Sequence, residues 1–168
     1  KIITEPKWKS WIVQTTTPLF TPDQCNQIIA SGRAQKPQTA QVGMNKPGGG
    51  TDTKKRVTTI SWIPFQEMGH MYQDLNSFIQ KANENHFGFG DIQVTENAQF
   101  TEYPEGGFYD WHMDCDVNME HEPPVRKISM TVLLNDPSEF EGGHLELMAP
   151  GKFAELKQGH AIIFASFL

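Results

Sequence analysis

The sequence has little cysteine, no excess of positive charge and no long hydrophobic run. Cys25 and Cys115 are the only cysteines in 168 residues, and they lie far apart. A disulfide-stapled secreted domain needs more, so the cysteine content favours a reducing, cytoplasmic location. No apolar run reaches the length of a membrane span, and no charged-then-apolar leader is present, so we expect no membrane association.

The charge balance of the chain is acidic. Lys and Arg number 14 against 20 Asp and Glu, which gives a net charge of -6 at pH 7. A general nucleic-acid binder presents a basic face, so we expect no nucleic-acid partner. Hydrophobic residues make up 38% of the chain, which is enough for a packed core, and the length predicts one domain.

Two segments in the first half have the pattern of helices. After a lead-in strand that ends near Pro18, Thr21 begins a capped helix, and Gly32 is its predicted stop. Residues 66–83 carry apolar side chains at helical spacing, which predicts a second helix with one face on a sheet. Between the helices, residues 56–63 predict a strand, and residues 41–55 predict either a flexible hairpin tip or a lid over a site.

From residue 92 onward the sequence predicts short strands separated by turns. The strand segments are residues 92–103, 108–114, 126–134, 144–148, 153–156 and 160–168. Short strands at even spacing are typical of an antiparallel sandwich or jelly roll. The predicted fold class is therefore α+β and mainly β: a double-stranded β-helix (jelly roll) with the N-terminal helices packed on one sheet.

The triplet His112-Met113-Asp114 is the candidate metal site. In an extended strand, side chains two residues apart point to one face, so His112 and Asp114 would lie side by side. An imidazole and a carboxylate together supply two thirds of the two-His-one-carboxylate set that binds non-haem Fe(II) and leaves positions open. The triplet alone is a weak motif, because surface polar residues near a turn give the same pattern.

Five stretches in order carry a family resemblance that spreads over most of the chain. They are residues 19–29, the strand pair with Tyr103, Gly106, Tyr109 and His112 to Asp114, and then residues 126–137, 140–145 and 159–166. Together they resemble the Fe(II)- and 2-oxoglutarate-dependent dioxygenases, especially the prolyl 4-hydroxylase group and its bacterial and phage PKHD-type branch. Any one of the stretches would be weak by itself.

The resemblance implies an activity and its cofactors. Enzymes of this group bind Fe(II), take 2-oxoglutarate and O2 as co-substrates, and hydroxylate an unactivated C–H bond with release of succinate and CO2. The prolyl hydroxylase likeness favours a peptidyl proline, so a peptide or protein substrate is the expected partner, and ascorbate is a candidate additional cofactor.

The resemblance also implies roles for individual residues. His112 and Asp114 match the catalytic metal ligands. Tyr103 matches a tyrosine whose hydroxyl points into the co-substrate pocket, although a core tyrosine would fit as well. Alternation along one strand places Ser129 and Leu133 on the same face, where they would line that pocket.

Tyr109 and Arg126 are the candidate substrate contacts. Tyr109 matches a position at the edge of the pocket, although a tyrosine that alternates away from His112 is also typical of a core. Arg126 would meet a substrate carboxylate or backbone group, and a solvated arginine at a strand start is the plainer interpretation.

In the family, the second metal-binding His and the basic residue for the far carboxylate of 2-oxoglutarate follow the last core strand. Both are therefore expected beyond Leu168, and residues 1–168 are expected to form a single dioxygenase domain that lacks its C-terminal strand or strands. His160 and His144 are alternative third ligands, or simply satisfied strand-end histidines. Two other functions stay open: a cupin-like metal-binding jelly roll without turnover, and a binding domain whose site has decayed.

Overall fold

The computed structural model of the protein describes residues 10–39, 56–115, 125–147 and 155–168. The predicted loop at residues 41–55 lies outside the described residues, and the predicted strands 144–148 and 153–156 lie partly outside them. Within the described ranges, no helix combines the length and the apolar character that crossing a bilayer requires.

Two helices and eight short strands make up the described structure, together with a π-helical turn and a 3-10 turn. In chain order they are β1 (Ile12–Gln14), α1 (Pro22–Ala34), β2 (Gln38–Thr39), β3 (Arg56–Val57), β4 (Thr59–Ile63), α2 (Gly69–Ala82), the π turn Asn83–Phe87, β5 (Ala98–Glu102), β6 (Phe108–Tyr109), β7 (Ile128–Val132), the 3-10 turn Pro137–Glu139 and β8 (Ala161–Ala165). The structure is mixed α and β with several antiparallel sheets. The closed jelly roll stays a prediction.

Three small sheets connect the first half of the chain with the second. Their strand orders are β1-β8-β7, β2-β4-β5 and β3-β6, and all pairs are antiparallel. Each sheet therefore contains at least one strand from before α2 and one from after it. The two halves of the chain therefore depend on each other to complete the sheets.

Helix α1 begins as predicted but does not end at Gly32. Thr21 and Gln24 form the reciprocal capping box, which satisfies free N–H groups of the first turn. The helix continues through Gly32 to Ala34, and the carbonyl of Gly32 accepts the hydroxyl of Ser61 at 2.6 Å. A Cβ at Gly32 would lie 2.3 Å from Cγ of Phe100, so the missing side chain serves close packing and not termination.

Helix α2 begins at Gly69, later than predicted, and its apolar face is buried. Met71, Tyr72, Leu75 and Ala82 are the buried residues of that face. Its last turn passes into the π turn, which ends where Gly88 adopts a positive φ of 72° and donates its N–H to the Asn83 carbonyl at 2.7 Å. The predicted amphipathic helix is confirmed with a shorter N-terminal end.

The predicted strand at residues 56–63 divides at Thr58. Residues on either side of Thr58 pair with different partners, β3 with β6 and β4 with β5 and β2. The Thr58 hydroxyl accepts a hydrogen bond from Nε of Arg56 at 2.9 Å, which satisfies a buried polar pair at the break. In the second half, β5, β7 and β8 are shorter than the predicted strands, and residues 144–147 form no strand.

The core of the described residues forms two clusters. In the first, side chains of α1 and α2 pack with Ile63 of β4 and Phe100 of β5, and in the second the end of α2 packs on the β1-β8-β7 sheet. Strand β8 is central in that sheet and is buried along its whole length, which explains its continuous apolar sequence. Its residue Ile163 packs with Ala82 and Phe87 at the end of α2. Met130 of β7 packs against the helix side of the same sheet. The opposite face of β7 is therefore free to line a site.

Candidate metal site

His112 and Asp114 meet although neither lies in a strand. Strand β6 ends at Tyr109, so the prediction that residues 108–114 are one extended strand is wrong beyond that point. Nε2 of His112 nevertheless lies 3.1 Å from Oδ1 of Asp114. The backbone there is fixed by the Ser166 carbonyl, which accepts the N–H groups of Asp114 and Cys115 at 3.0 Å each. Local hydrogen bonding, not strand alternation, brings the two side chains together.

The hydrogen bonds of His112 define which of its nitrogens is available. Nδ1 lies 2.7 Å from the carbonyl oxygen of Asp110, which can only accept, so Nδ1 carries a proton and donates it. In the neutral imidazole the lone pair of Nε2 then faces the Asp114 carboxylate. Two electron-rich atoms at this distance need a cation between them, and that cation is either a proton on Nε2 or a metal ion.

The spacing of the two atoms suits a shared metal. A divalent transition metal lies about 2.1 Å from imidazole nitrogen and carboxylate oxygen, so two ligands at a right angle are about 3.0 Å apart. The observed separation is 3.1 Å. The side chains of His112 and Asp114 are 35% and 26% exposed, which leaves the donor atoms accessible from solvent. This donor set fits two positions of a non-haem Fe(II) centre.

The charges of the pair stabilise each other. The hydrogen bond to Asp114 raises the pKa of His112 above its ordinary value, partial burial opposes this, and the Asp110 carbonyl adds to it. Burial alone would raise the pKa of Asp114, but the hydrogen bonds from His112 and Ser129 outweigh it and leave that pKa lowered. Asp114 is therefore ionised at neutral pH, as a metal ligand has to be.

Ser129 and Arg126 bond to Asp114, and each is held by a second residue. Ser129, buried on the free face of β7, donates to the Asp114 carboxylate and lies 2.9 Å from the hydroxyl of Ser166. Arg126 donates from Nη1 to the Asp114 backbone carbonyl at 3.1 Å and pairs through Nη2 with Glu96 at 2.6 Å. Such supporting hydrogen bonds orient metal ligands and raise their affinity.

The remaining predicted site residues lie at different distances from the pair. The Tyr109 ring stacks directly on the His112 imidazole. Tyr103 is 53% exposed; burial of its hydroxyl raises its pKa, while the charge of Arg56 lowers it and that of Asp114 raises it. Leu133 follows the end of β7, about 13 Å along the strand from Ser129, and its backbone bonds with His160 and Gly159.

No third ligand joins the pair within the part of the chain that the structure describes. No group of three or more His, Cys, Asp or Glu there could hold one ion. His160 is half-buried, and its Nδ1 lies 3.1 Å from the Thr15 carbonyl and 3.3 Å from its hydroxyl. That is the satisfied strand-end histidine expected as the alternative to a ligand, and His144 is exposed on a segment without regular structure.

Three residues of the site were not identified from the sequence. Arg56 contacts Tyr109, Glu96 pairs with Arg126, and Ser166 binds the backbone beside the ligands. Ser166 could have been identified from the sequence, because it directly follows the apolar run of β8. A fully buried hydroxyl at such a position needs a hydrogen-bond partner. Arg56 and Glu96 carried none, since a charged residue near a strand end is usually solvated.

The match to known proteins falls on this half of the molecule. Residues 98–168 match the family model of the 2OG-Fe(II) oxygenase superfamily. The matched stretch covers less than half of the chain but contains β5 to β8, both candidate ligands, and Ser129, Arg126 and Ser166, which bond to Asp114. No curated protein matches the chain.

The superfamily match supports a general 2-oxoglutarate dioxygenase function, and so an oxygenase enzyme. It implies Fe(II) with 2-oxoglutarate and O2. The mixed structure with two helices and several antiparallel sheets is consistent with the fold of these oxygenases.

Proposed function

We propose that the protein is an Fe(II)- and 2-oxoglutarate-dependent dioxygenase of the prolyl 4-hydroxylase type, in its PKHD-like branch. The proposed reaction hydroxylates an unactivated C–H bond, with a peptidyl proline as substrate and succinate and CO2 as co-products. The observation that carries the proposal is the 3.1 Å separation of Nε2 of His112 and Oδ1 of Asp114, inside the stretch that matches the superfamily.

His112 and Asp114 would hold the iron, with a third ligand supplied from outside the described residues. The resemblance implies that this ligand is a His. The Ser166 carbonyl bonds to the backbone of Asp114 and Cys115, so the segment that follows β8 lies beside the ligand pair.

Bound Fe(II), with 2-oxoglutarate and O2, supplies the oxidising power for C–H hydroxylation. The protein's own residues prepare the site for it. Asp110 keeps the proton of His112 on Nδ1, so Nε2 presents its lone pair. Ser129 and Arg126 hold the carboxylate and the backbone of Asp114.

Tyr103 and Ser129 are proposed to contact 2-oxoglutarate, and Leu133 to line the far end of its pocket. The effect of the Asp114 and Arg56 charges on Tyr103 supports the first assignment, because both groups belong to the site. Ser129 is buried against Asp114 and shares its hydroxyl with Ser166, so its contact would have to replace one of these bonds.

Tyr109 and Arg126 are proposed to contact the substrate. Arg126 already donates to Asp114 and Glu96, so a substrate would meet one of its remaining N–H groups. Exposed aromatic and apolar side chains next to the ligands support a peptide substrate: Phe108 is 41%, Trp111 58% and Met113 50% exposed.

A nucleic-acid substrate is not proposed, because the chain is acidic. Both cysteines are free in the structure, which supports the proposed cytoplasmic location. Ascorbate is proposed as an additional cofactor on the resemblance alone.

A non-catalytic metal-binding domain is the second candidate function. It is favoured by one observation: among the described residues the site has two ligands and no third. Such a domain, cupin-like or decayed, would bind Zn or Ni and would show no 2-oxoglutarate binding by calorimetry. Binding of 2-oxoglutarate therefore distinguishes the two candidate functions.

The decisive experiment measures succinate formation by the full-length protein with Fe(II), 2-oxoglutarate, ascorbate and proline-containing peptides. We expect succinate to form, and we expect His112→Ala to reduce it to the level without iron. His144→Ala removes an exposed imidazole of the same matched stretch and should leave the rate unchanged. Metal binding without 2-oxoglutarate binding or succinate would establish the second candidate.

A further inference from the structure

Arg56 is a buried arginine next to the metal site that the proposed chemistry does not use. It is 8% exposed, and its Nε and Nη2 atoms donate to Thr58 and Gln99, each at 2.9 Å. Within the described part of the chain, ion pairs form at Arg33, His112 and Arg126, and none forms at Arg56. There the guanidinium meets neutral oxygens, those of Thr58 and Gln99 and the Tyr109 hydroxyl, and no carboxylate, so its burial beside the site needs another explanation.

The β3-β6 pairing places Arg56 directly opposite Tyr109. The guanidinium carbon lies 4.3 Å from the centroid of the Tyr109 ring, within the range of a cation–π contact. The same ring stacks on the His112 imidazole, with centroids 3.5 Å apart and planes 14° apart. Because the imidazole fills one face of the ring at that distance, the guanidinium lies over the other face.

We propose that Arg56 is a positioning residue that acts through Tyr109 to orient the imidazole of His112. The three groups form a stack of guanidinium, phenol ring and imidazole. His112 lies outside any strand and is partly exposed, so among the described residues its ring is held by the Asp110 carbonyl, the Asp114 carboxylate and this stack. With the plane fixed, Nε2 keeps its lone pair directed at the space shared with Asp114. This inference rests on His112 being a metal ligand.

Two effects of Arg56 on the site oppose each other. Its positive charge disfavours a second cation nearby, and the same charge lowers the pKa of His112, against the stronger raising effect of Asp114. Its planar side chain stabilises the stack, which favours the geometry that a cation needs. If positioning dominates, removing the planar group weakens metal binding; if charge dominates, removing the charge strengthens it.

Arg56→Lys and Arg56→Gln separate the two effects. Lysine keeps the charge but lacks the flat group that stacks on an aromatic ring, whereas glutamine removes the charge and keeps a planar end. Tyr109→Phe keeps the stacked ring, and Tyr109→Leu removes it. Arg33→Lys is the matched control, because Arg33 is an exposed arginine paired with Glu102, away from the ligands.

The first measurement uses metal-free full-length protein and needs no catalysis. A ring stacked at 3.5 Å shifts the imidazole protons of His112 upfield in the NMR spectrum. We expect Arg56→Lys and Tyr109→Leu to move these protons toward the positions of an unstacked histidine, while Tyr109→Phe and Arg33→Lys leave them in place. Unchanged His112 shifts in a folded Arg56→Lys variant would overturn the proposal.

The second measurement is a Co(II) titration of the same variants, followed by absorbance. We expect about a tenfold loss of affinity in Arg56→Lys, the scale of effect that groups supporting a metal ligand have. The double variant Arg56→Lys with Tyr109→Leu should have a Co(II) affinity only slightly below that of Tyr109→Leu alone, because both substitutions act through one stack. Additive losses, or wild-type affinity in Arg56→Lys with tighter binding in Arg56→Gln, would contradict it. Failure of the wild type to bind Co(II) would instead contradict the proposed function, and the NMR result would still decide the role of Arg56.

Discussion

His112 and Asp114 are separated by one residue in sequence and by 3.1 Å between Nε2 and Oδ1 in space. Because Nδ1 of His112 donates to the Asp110 carbonyl, the space between the two atoms suits a cation and little else. A proton and a divalent metal ion compete for that space.

The first prediction follows from this competition. Since the hydrogen bond to Asp114 raises the pKa of His112, the imidazole is protonated over a wider pH range than usual. Below that raised pKa, each metal ion displaces one proton, so the apparent affinity for Co(II) should fall about tenfold per pH unit. Calorimetric titrations between pH 5 and 8, as an approximate range around the ordinary histidine value, test this. An affinity independent of pH would place the metal elsewhere.

The second prediction concerns Asp114→Asn in the metal-free protein. The pair stabilises the fold below the raised pKa of His112 and above the lowered pKa of Asp114, and this contribution is lost as pH rises through the first or falls through the second. The amide removes the charge, so the NMR-measured pKa of His112 should fall and this pH dependence of stability should disappear. Asp136→Asn alters an exposed carboxylate bonded to Ser138 and should leave His112 unchanged.

The third prediction concerns Ser129→Ala. The variant removes the hydroxyl that donates to Asp114 and bonds to Ser166, leaving the carboxylate less fixed. We expect metal affinity to fall by about ten- to a hundredfold. Isothermal titration calorimetry with Co(II) measures the affinity, and circular dichroism reports whether the sheet stays folded. Ser138→Ala, which removes an exposed hydroxyl outside the site, is the comparison.

The fourth prediction compares two glycines in the helices. Gly32→Ala places a methyl group 2.3 Å from the Phe100 ring, so the ring or the helix has to move, and we expect a destabilisation of about 1–3 kcal/mol. Gly69→Ala meets nothing within 4 Å and should be neutral or stabilising by up to about 1 kcal/mol. Urea unfolding of both variants gives the difference, and equal stabilities would mean that the α1 contact with Phe100 is not close.

Local signals in the sequence predicted local structure well. The Thr21 capping box and the apolar stripe of α2 are short-range patterns, and both are confirmed. The prediction that α1 ends at Gly32 was wrong. A glycine in a helix can mark a left-handed C-terminal cap or a close contact, and here the contact is with Phe100 of a distant strand. The break at Thr58 has the same origin, since the partners of the two strands lie elsewhere in the chain.

The candidate ligand pair could be predicted from the sequence, but for an incomplete reason. Strand alternation correctly paired His112 with Asp114, although the strand ends at Tyr109 and the convergence comes from Asp110 and Ser166. The contacts of Arg56 with Tyr109 and of Glu96 with Arg126 could not be predicted, because they depend on strand register and on side-chain rotamers. Sequence spacing carries neither kind of information.

The strand pairing determines where the chain can be cut without exposing strand edges. In the superfamily-matched stretch, every strand except β7 pairs with a strand that lies before residue 98: β5 with β4, β6 with β3 and β8 with β1. A fragment cut at residue 98 would present these backbone edges unpaired, and bare edges recruit other chains. The region that contains the candidate site therefore depends on the preceding residues to cover its strand edges.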